Sequence, residues 1–181
     1  MERKLIIDTR QQAGKHEHKN QWWASHGVST VVSKLDFGDY AVDGSNICID
    51  TKRNIAEIAQ NINRDHARFR RELVRAKDAG YRLIILVENV EGIASVEDLQ
   101  AWTNVHCVKC SIRNRGQCNP RDTSTIRCAR HNTRKPIQGD RLAKAMSTMA
   151  ANYGVRFEFC RPENAAKRIC ELLGVKYIDD E

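Results

Sequence analysis

Three acidic side chains and one lysine of this sequence stand where β-strands are predicted to end. Asp8 closes a first apolar run, Asp39 follows Gly38 in a turn, and Asp50 and Lys52 lie two residues apart on a later strand. Alternate residues of a strand project from the same face, so Asp50 and Lys52 are expected side by side. Carboxylate oxygens are the ligands that Mg²⁺ prefers, and Mg²⁺ also takes substrate phosphates. The pattern predicts a Mg²⁺ or Mn²⁺ site between Asp39 and Asp50, supported by Asp8.

Lys52 is predicted to act beside this metal. Its ammonium could orient a nucleophile or stabilise the negative charge that develops on a phosphodiester. The alternative is a surface ion pair between Asp50 and Lys52, worth about 0–1 kcal/mol. Asp39 likewise has an alternative as an ordinary turn residue.

The elements that must position these residues alternate between strands and helices, which is typical of a layered α/β domain. Strands are predicted over 4–9, 28–35, 40–42, 46–52, 81–88 and 155–159. Helices are predicted in the stretch 10–27, from 54, over 66–79, from Ser95, over 140–153 and over 162–173. The segment 81–88 is almost continuously apolar, which indicates a central strand covered on both faces.

Four cysteines lie close together in the second half of the chain. They read Cys107-x2-Cys110, then Cys118 and Cys128, with His131 three residues further on. Thiolates are soft donors and four of them close a tetrahedral shell, so the spacing predicts a structural zinc site. His131 is an alternative to Cys128 as the last ligand, and four reduced thiols without metal are the alternative to zinc. We predict a core over 1–102, a Cys-rich insert over 103–138, and the rest of the core over 139–181.

The positive charge of the chain is concentrated around this insert. The protein has 30 Lys and Arg against 23 Asp and Glu, a net charge of +7. Residues 101–145 carry +8 of it, which leaves the remainder at −1. A basic segment on a near-neutral body predicts contact with a polyanion, most often nucleic acid, although a solvated loop is the alternative. The residues predicted to contact DNA are Arg53, Arg64, Arg68, Arg113, Arg115, Arg134 and Lys135.

The ordered motifs of the first half resemble those of a known family. Asp…Asp-x-Lys on adjacent strands is the shape of the PD-(D/E)XK nuclease core. The segments 6–11 (IIDTRQ), 38–40 (GDY) and 49–53 (IDTKR) resemble the successive motifs of the XPF-type nuclease domain, here in a form similar to single-domain phage or prophage members. The resemblance covers about residues 3–89 well and the closing strand and helix more loosely. It implies a restriction-endonuclease-like mixed sheet flanked by helices, with the zinc-binding insert added.

The resemblance also implies roles for individual residues. Asp39 matches the aspartate of the family's G-D turn and Asp50 the glutamate of its E-R-K motif, both metal ligands. Lys52 matches the catalytic lysine, and Asp8 the first-strand aspartate near the metal.

The function expected from the resemblance is metal-dependent cleavage of branched or flapped DNA by a homodimer. Two departures permit an alternative, an inactive zinc-stapled module that binds or recruits DNA. Gln11 stands where the family usually has an acid, and Thr51 replaces the arginine of E-R-K. A further departure is that Glu57 lies five rather than four residues after the lysine.

The remaining expectations concern location. No apolar run approaches the roughly 20 residues of a membrane span, and the first residues do not resemble a signal peptide. A cytoplasmic protein of a bacterial or phage-infected cell is therefore expected.

Overall fold

The computed structural model describes residues 3–11, 14 and 16–179. Its strands are β1 Leu5–Asp8, β2 Thr30–Ser33, β3 Tyr40–Val42, β4 Ile47–Lys52, β5 Arg82–Glu88 and β6 Arg156–Cys160. Its α-helices are α1 Glu17–Ser25, α2 Ile55–Asn63, α3 His66–Asp78, α4 Val105–Val108, α5 Ser111–Asn114, α6 Gly139–Tyr153 and α7 Ala165–Leu173. Short 3₁₀ helices cover Asp98–Ala101 and Pro162–Asn164. No helix in these ranges is long and apolar enough to cross a membrane.

The six strands form one mixed sheet, which confirms the predicted α/β class. Their order is β2-β1-β3-β4-β5-β6. β3 runs antiparallel to both its neighbours, while β1 and β2, β4 and β5, and β5 and β6 pair in parallel. In this register Ile7 lies opposite Tyr40 and Tyr40 opposite Ile49. The ends of β1 and β4 and the start of β3 therefore meet at one edge of the sheet, where Asp8, Asp39 and Asp50 stand.

Helices cover both faces of this sheet. On one face α2, α3 and α6 pack over Leu83, Ile85 and Val87 of β5. On the other face α1 and α7 cover Ile84 and Leu86 of the same strand. Side chains alternate between faces along a strand, so burial on both sides requires the continuous apolar run of β5.

The helix predicted to begin at Ser95 is much shorter than expected. The predicted cap forms, because the Ser95 Oγ accepts from the backbone N–H of Asp98 at 3.2 Å and the Asp98 carboxylate accepts from that of Ser95 at 2.9 Å. However, only one 3₁₀ turn follows, and the buried Trp102 is already extended at ψ 135°. A Cβ on Gly139 would lie 1.7 Å from the carbonyl oxygen of Leu99. The start of α6 thus packs closely against this 3₁₀ turn, at the place where the predicted helix would have continued.

The two ends of the insert meet at the same place. The backbone N–H of Gly139 donates to the Trp102 carbonyl at 3.0 Å. The Gln138 Oε1 accepts from the backbone N–H of Asn104 at 3.2 Å, and the Asn104 amide donates to the Ile137 carbonyl at 3.2 Å. The two ends of the segment between these residues thus lie together, and its boundaries at 103 and 138 stay a prediction.

Candidate active site

Asp39 forms backbone hydrogen bonds to both β4 and the end of β1. Gly38 adopts φ +70°, and its own Cα faces the backbone of Ile49 so closely that a Cβ would lie 2.7 Å from the Ile49 oxygen. The Asp39 N–H donates to this same oxygen at 2.7 Å, and its carbonyl accepts from the Asp8 N–H at 2.9 Å. The Asp39 Oδ2 accepts from the backbone N–H and the hydroxyl of Thr51, at 2.8 and 2.7 Å. Thr51, a departure from the family motif, therefore orients the Asp39 carboxylate.

Asp50 is a buried carboxyl group, only 7% exposed. The Lys52 ammonium lies 2.7 Å from its Oδ2, as the shared face predicts. The angles of this contact fall outside hydrogen-bond geometry, so Oδ2 has no hydrogen-bond partner within the described residues. Burial, together with the nearby Asp39 and Glu72, raises the pKa of Asp50 to about 7, although Lys52 opposes the shift. Ionised Asp50 is thus poorly stabilised by the protein alone.

Lys52 is itself mostly buried, with its side chain 12% exposed. Burial acts to lower its pKa, but the surrounding carboxylates outweigh burial and raise the pKa above the ordinary value. Asp50 contributes most to this effect, followed by Glu72 and Asp39. The ammonium therefore stays charged at neutral pH and faces a cluster of acids.

The Asp8 carboxylate already has four hydrogen bonds. It accepts from the Arg10 backbone N–H at 2.6 Å, from Arg10 Nε and Nη2 at 2.8 Å, and from the Leu35 N–H at 2.8 Å. The Arg10 guanidinium in particular lowers the pKa of Asp8 to about 2. These contacts favour a positioning role over the predicted support of a metal, because Asp8 fixes Arg10 and the chain that leads to Gly38. Ligation by Asp8 stays a prediction.

Two cavities open onto the acids from opposite sides. One of about 390 Å³ is lined by Asp39 and Asp50 and by Arg68, Arg71 and Glu72 of α3. Sequence reasoning placed the arginines of α3 near phosphate but missed Glu72. The signal was available, because Glu72 lies four residues after Arg68 and thus on the same face of the helix.

The second cavity, of about 520 Å³, lies towards α1 and also contains Asp50 and Lys52. Its wall includes an ion pair between Lys19 and Glu88, 2.5 Å apart and almost wholly buried. Lys19 was not predicted to take part, since nothing in a polar segment marks one lysine as buried. The pair fastens α1 to the end of β5 beside the candidate site.

The predicted DNA-contacting residues are divided between this site and the insert. Arg53 and Arg68 are exposed and line cavities at the acids, and Arg64 is exposed just after α2. Arg113, Arg115 and Arg134 lie in the insert, away from the acids in the sequence. The Lys135 ammonium donates to the Asp122 carbonyl at 2.9 Å, so it helps to fold the insert.

The predicted zinc ligands are not assembled in the structure. Among residues 3–11, 14 and 16–179, no group of three or more Cys, His, Asp or Glu side chains has metal-binding geometry. Cys107 and Cys110 are buried, Cys118 and Cys128 are half-buried, and His131 is exposed. The physical reason is packing, since the Cys107 thiol lies against the core and accepts from the Gln138 amide at 3.4 Å.

The four thiols are nevertheless neighbours. The pKa of Cys107 is raised, first by burial and then by the proximity of Cys128, Cys110 and Cys118. Cys110 precedes α5, and the backbone N–H of Arg113 is the main group that lowers its pKa. The insert thus gathers soft donors without closing a shell around a metal.

The fold is a mixed six-stranded sheet flanked by helices, with three acids and a lysine at adjoining strand ends. The sequence matches the ERCC4 domain over residues 7–172. The chain therefore belongs to the ERCC4 domain family, whose members are typically metal-dependent endonucleases.

Solved structures show the same fold. The chain resembles XPF from Aeropyrum pernix with a TM-score of 0.54 and 16% identity, over 94% of this chain and 63% of that one. It resembles the complex of XPF from Aeropyrum pernix with DNA with a TM-score of 0.57 and 16% identity, over 95% and 64%. The chain thus spans less than two thirds of these relatives. No curated protein sequence matches it.

Proposed function

We propose that this protein is a metal-dependent endonuclease that hydrolyses phosphodiester bonds in DNA, with Mg²⁺ or Mn²⁺ held by Asp39 and Asp50. The observation that carries the proposal is the Asp50 carboxylate, which is buried between two cavities and whose Oδ2 has the Lys52 ammonium at 2.7 Å but no further hydrogen-bond partner among the described residues. A carboxylate has room for about four hydrogen-bond or metal contacts, so this one can accept a further positively charged ligand. Asp39 supplies a second hard oxygen donor at the same edge of the sheet, so the residues present fit a hard divalent cation.

The side chains of the chain have separate tasks in this proposal. Thr51 fixes the Asp39 carboxylate, and Asp50, paired with Lys52, lines both cavities. The Lys52 ammonium lies where it can orient a water molecule and stabilise negative charge on a phosphate oxygen. A bound divalent cation would supply Lewis acidity towards the phosphate. Arg10, held by Asp8, lines both cavities and is placed to contact a phosphate beside the reacting one.

DNA with a branch or flap is the proposed substrate. Support comes from the exposed arginines around the acids, from the basic insert, and from a relative whose structure contains DNA. The homodimer and the phage source rest on the resemblance of the sequence motifs alone.

Gln11 supports the second candidate function, an inactive module for DNA binding or recruitment. Its amide lies 3.5 Å from the Asp39 carbonyl and 3.4 Å from the Tyr40 hydroxyl, so it serves packing where the family has an acid.

The test is cleavage of a labelled flap duplex and of its fully paired counterpart, with Mg²⁺, Mn²⁺ or a chelator. We expect metal-dependent nicking that favours the flap, and a Lys52→Met variant about a hundredfold slower, the lower range of proton-transfer and charge contributions. Full cleavage in the chelator would contradict the dependence on a metal. If neither metal supports cleavage while the protein still binds DNA, the endonuclease activity is contradicted and the recruitment module is favoured.

We propose in addition that the insert binds Zn²⁺ through Cys107, Cys110, Cys118 and either Cys128 or His131. Four reduced thiols close together are the donors that Zn²⁺ prefers. The described arrangement does not enclose a metal, so binding requires the thiols of the insert to move closer together. Metal analysis should find about one zinc per chain.

The Cys107→Ser variant should lose this zinc and melt at a lower temperature, since metal binding contributes to folding. Cys160→Ser, on β6 and outside the insert, is the matched control and should retain it. Equal zinc content in both variants would refute the ligand set.

A further inference from the structure

A third cavity lies between α2 and the ends of the insert. Its volume is about 540 Å³, within the range of small-ligand sites. It adjoins the candidate active site on two sides, because Arg68 also lines the cavity at Asp39, and Arg53 and Glu57 also line the cavity at Lys52. A DNA strand with a phosphate at Asp39 and Asp50 would therefore run next to the opening of this third cavity.

The lining of this cavity differs from that of the acidic site. Half of its ten polar side chains are amides, from Asn54, Gln60, Asn61, Asn63 and Asn104, and the others are charged residues or histidine. Pro136 and Ile137 of the insert form an apolar wall opposite α2. Amides both donate and accept hydrogen bonds, which suits the edges of nucleobases rather than phosphates.

Asn61 is the most informative of these residues. It is only 8% exposed, yet its side-chain amide makes no hydrogen bond to any other residue that the structure describes. Asn104, by contrast, already has its amide engaged by Ile137 and His106 and serves as a fixed wall. The amide of this largely buried side chain is not engaged by the protein and borders the cavity, so it can both donate to and accept from a polar ligand there.

We propose that this cavity binds the base of one unpaired nucleotide next to the scissile phosphate. The inference rests on the proposed function and gives a reason for a preference for flaps. An unpaired base enters a pocket without the cost of breaking a base pair, whereas a base within a duplex must first unstack. Asn61 and Gln60 pair with the edge of the base, Pro136 and Ile137 contact its face, and Arg53 and Arg68 neutralise the flanking phosphates.

The first experiment removes single bases from the DNA and leaves the protein unchanged. Flap DNA is prepared with a single abasic site at successive unpaired positions, and its affinity for the wild-type protein is measured in chelator. We expect one position near the branch at which loss of the base weakens binding about fivefold or more, the effect of one or two hydrogen bonds. An abasic site in the paired arm should have no such effect.

Asn61→Ala and, separately, Gln60→Ala should bind intact flap DNA as weakly as abasic DNA. Their unchanged affinity for abasic DNA shows that they are folded. Asn152→Ala, an exposed amide on α6 outside this cavity, is the matched control and should keep the wild-type difference in affinity between intact and abasic flap DNA.

The proposal is overturned if no unpaired position matters, or if both cavity variants keep the preference for the base. If the wild-type protein cleaves flaps but shows no such position, only this inference fails; if it neither binds nor cleaves DNA, the proposed function fails with it.

Discussion

Asp50→Asn is expected to abolish cleavage of flap DNA, by about 10³-fold or more, while the protein stays folded. The substitution keeps the size of the side chain but removes the charge that a hard divalent cation needs. The cation's contribution to transition-state stabilisation is then lost, and electrostatic contributions of this kind are commonly the largest. Nicking rates at saturating Mn²⁺ measure the effect. DNA binding in chelator should be unchanged.

The melting temperature of Asp50→Asn tests whether Asp50 serves mainly as a metal ligand or mainly as the partner of Lys52 in a structural ion pair. If Asp50 existed to neutralise Lys52, an asparagine would leave a buried ammonium unpaired, and the protein would lose about 3–5 kcal/mol of stability. In the structure, burial and the carboxylates of Asp39 and Glu72 outweigh Lys52 in their effect on the Asp50 pKa. Asp50→Asn removes this unfavourable buried charge but also the main partner of the Lys52 ammonium, so we expect the two effects to offset and the melting temperature in chelator to change little.

Asp43→Asn is the matched control for both measurements. Asp43 is exposed in the turn between β3 and β4, so its replacement should alter neither nicking nor melting. A melting temperature of Asp50→Asn well below that of Asp43→Asn, together with undiminished nicking, would mean that Asp50 serves the ion pair with Lys52 and is not a metal ligand.

The order and the type of almost every element follow from the sequence, because each signal is local. The apolar run of β5 and the shift to helical spacing after Asn54 depend on neighbouring residues alone. Asn54 indeed caps α2 by accepting from the Glu57 N–H at 2.8 Å. The proximity of Asp50 and Lys52 follows from the alternation of side chains along one strand in the same way.

The parts that sequence reasoning missed depend on distant contacts. Burial of Lys19 requires Glu88, which is far away in the chain. The end of the helix after Ser95 is determined by the approach of Gly139 to Leu99. The bonds between Asp8 and Arg10 are local, but the Leu35 N–H that completes them is not. No spacing rule in a single sequence reveals these partners.

Gly38→Ala is the second substitution with a large expected effect, and it acts through geometry rather than charge. A non-glycine residue at φ +70° costs about 1–2 kcal/mol, since its Cβ crowds the following carbonyl. At Gly38 the new Cβ would in addition lie 2.7 Å from the backbone oxygen of Ile49. That oxygen accepts the Asp39 N–H, so the turn cannot move away without breaking this bond. We expect a total loss of about 3–4 kcal/mol, above the roughly 0.5–3 kcal/mol of most destabilising substitutions.

Gly44→Ala is a control that isolates the second contribution. Gly44 has φ +72°, but a Cβ there would meet nothing within 4 Å, so its replacement costs only the backbone preference. Urea titration of the two variants should therefore show Gly38→Ala less stable than Gly44→Ala by about 2 kcal/mol, the difference between backbone strain alone and strain with a clash. Because Asp39 follows Gly38 and is bonded to Thr51 of β4, the folded fraction of Gly38→Ala should also nick DNA more slowly, whereas Gly44→Ala should match the wild type. Equal stability of the two variants would mean that the turn yields freely, and that the contact with Ile49 does not hold Asp39 in place.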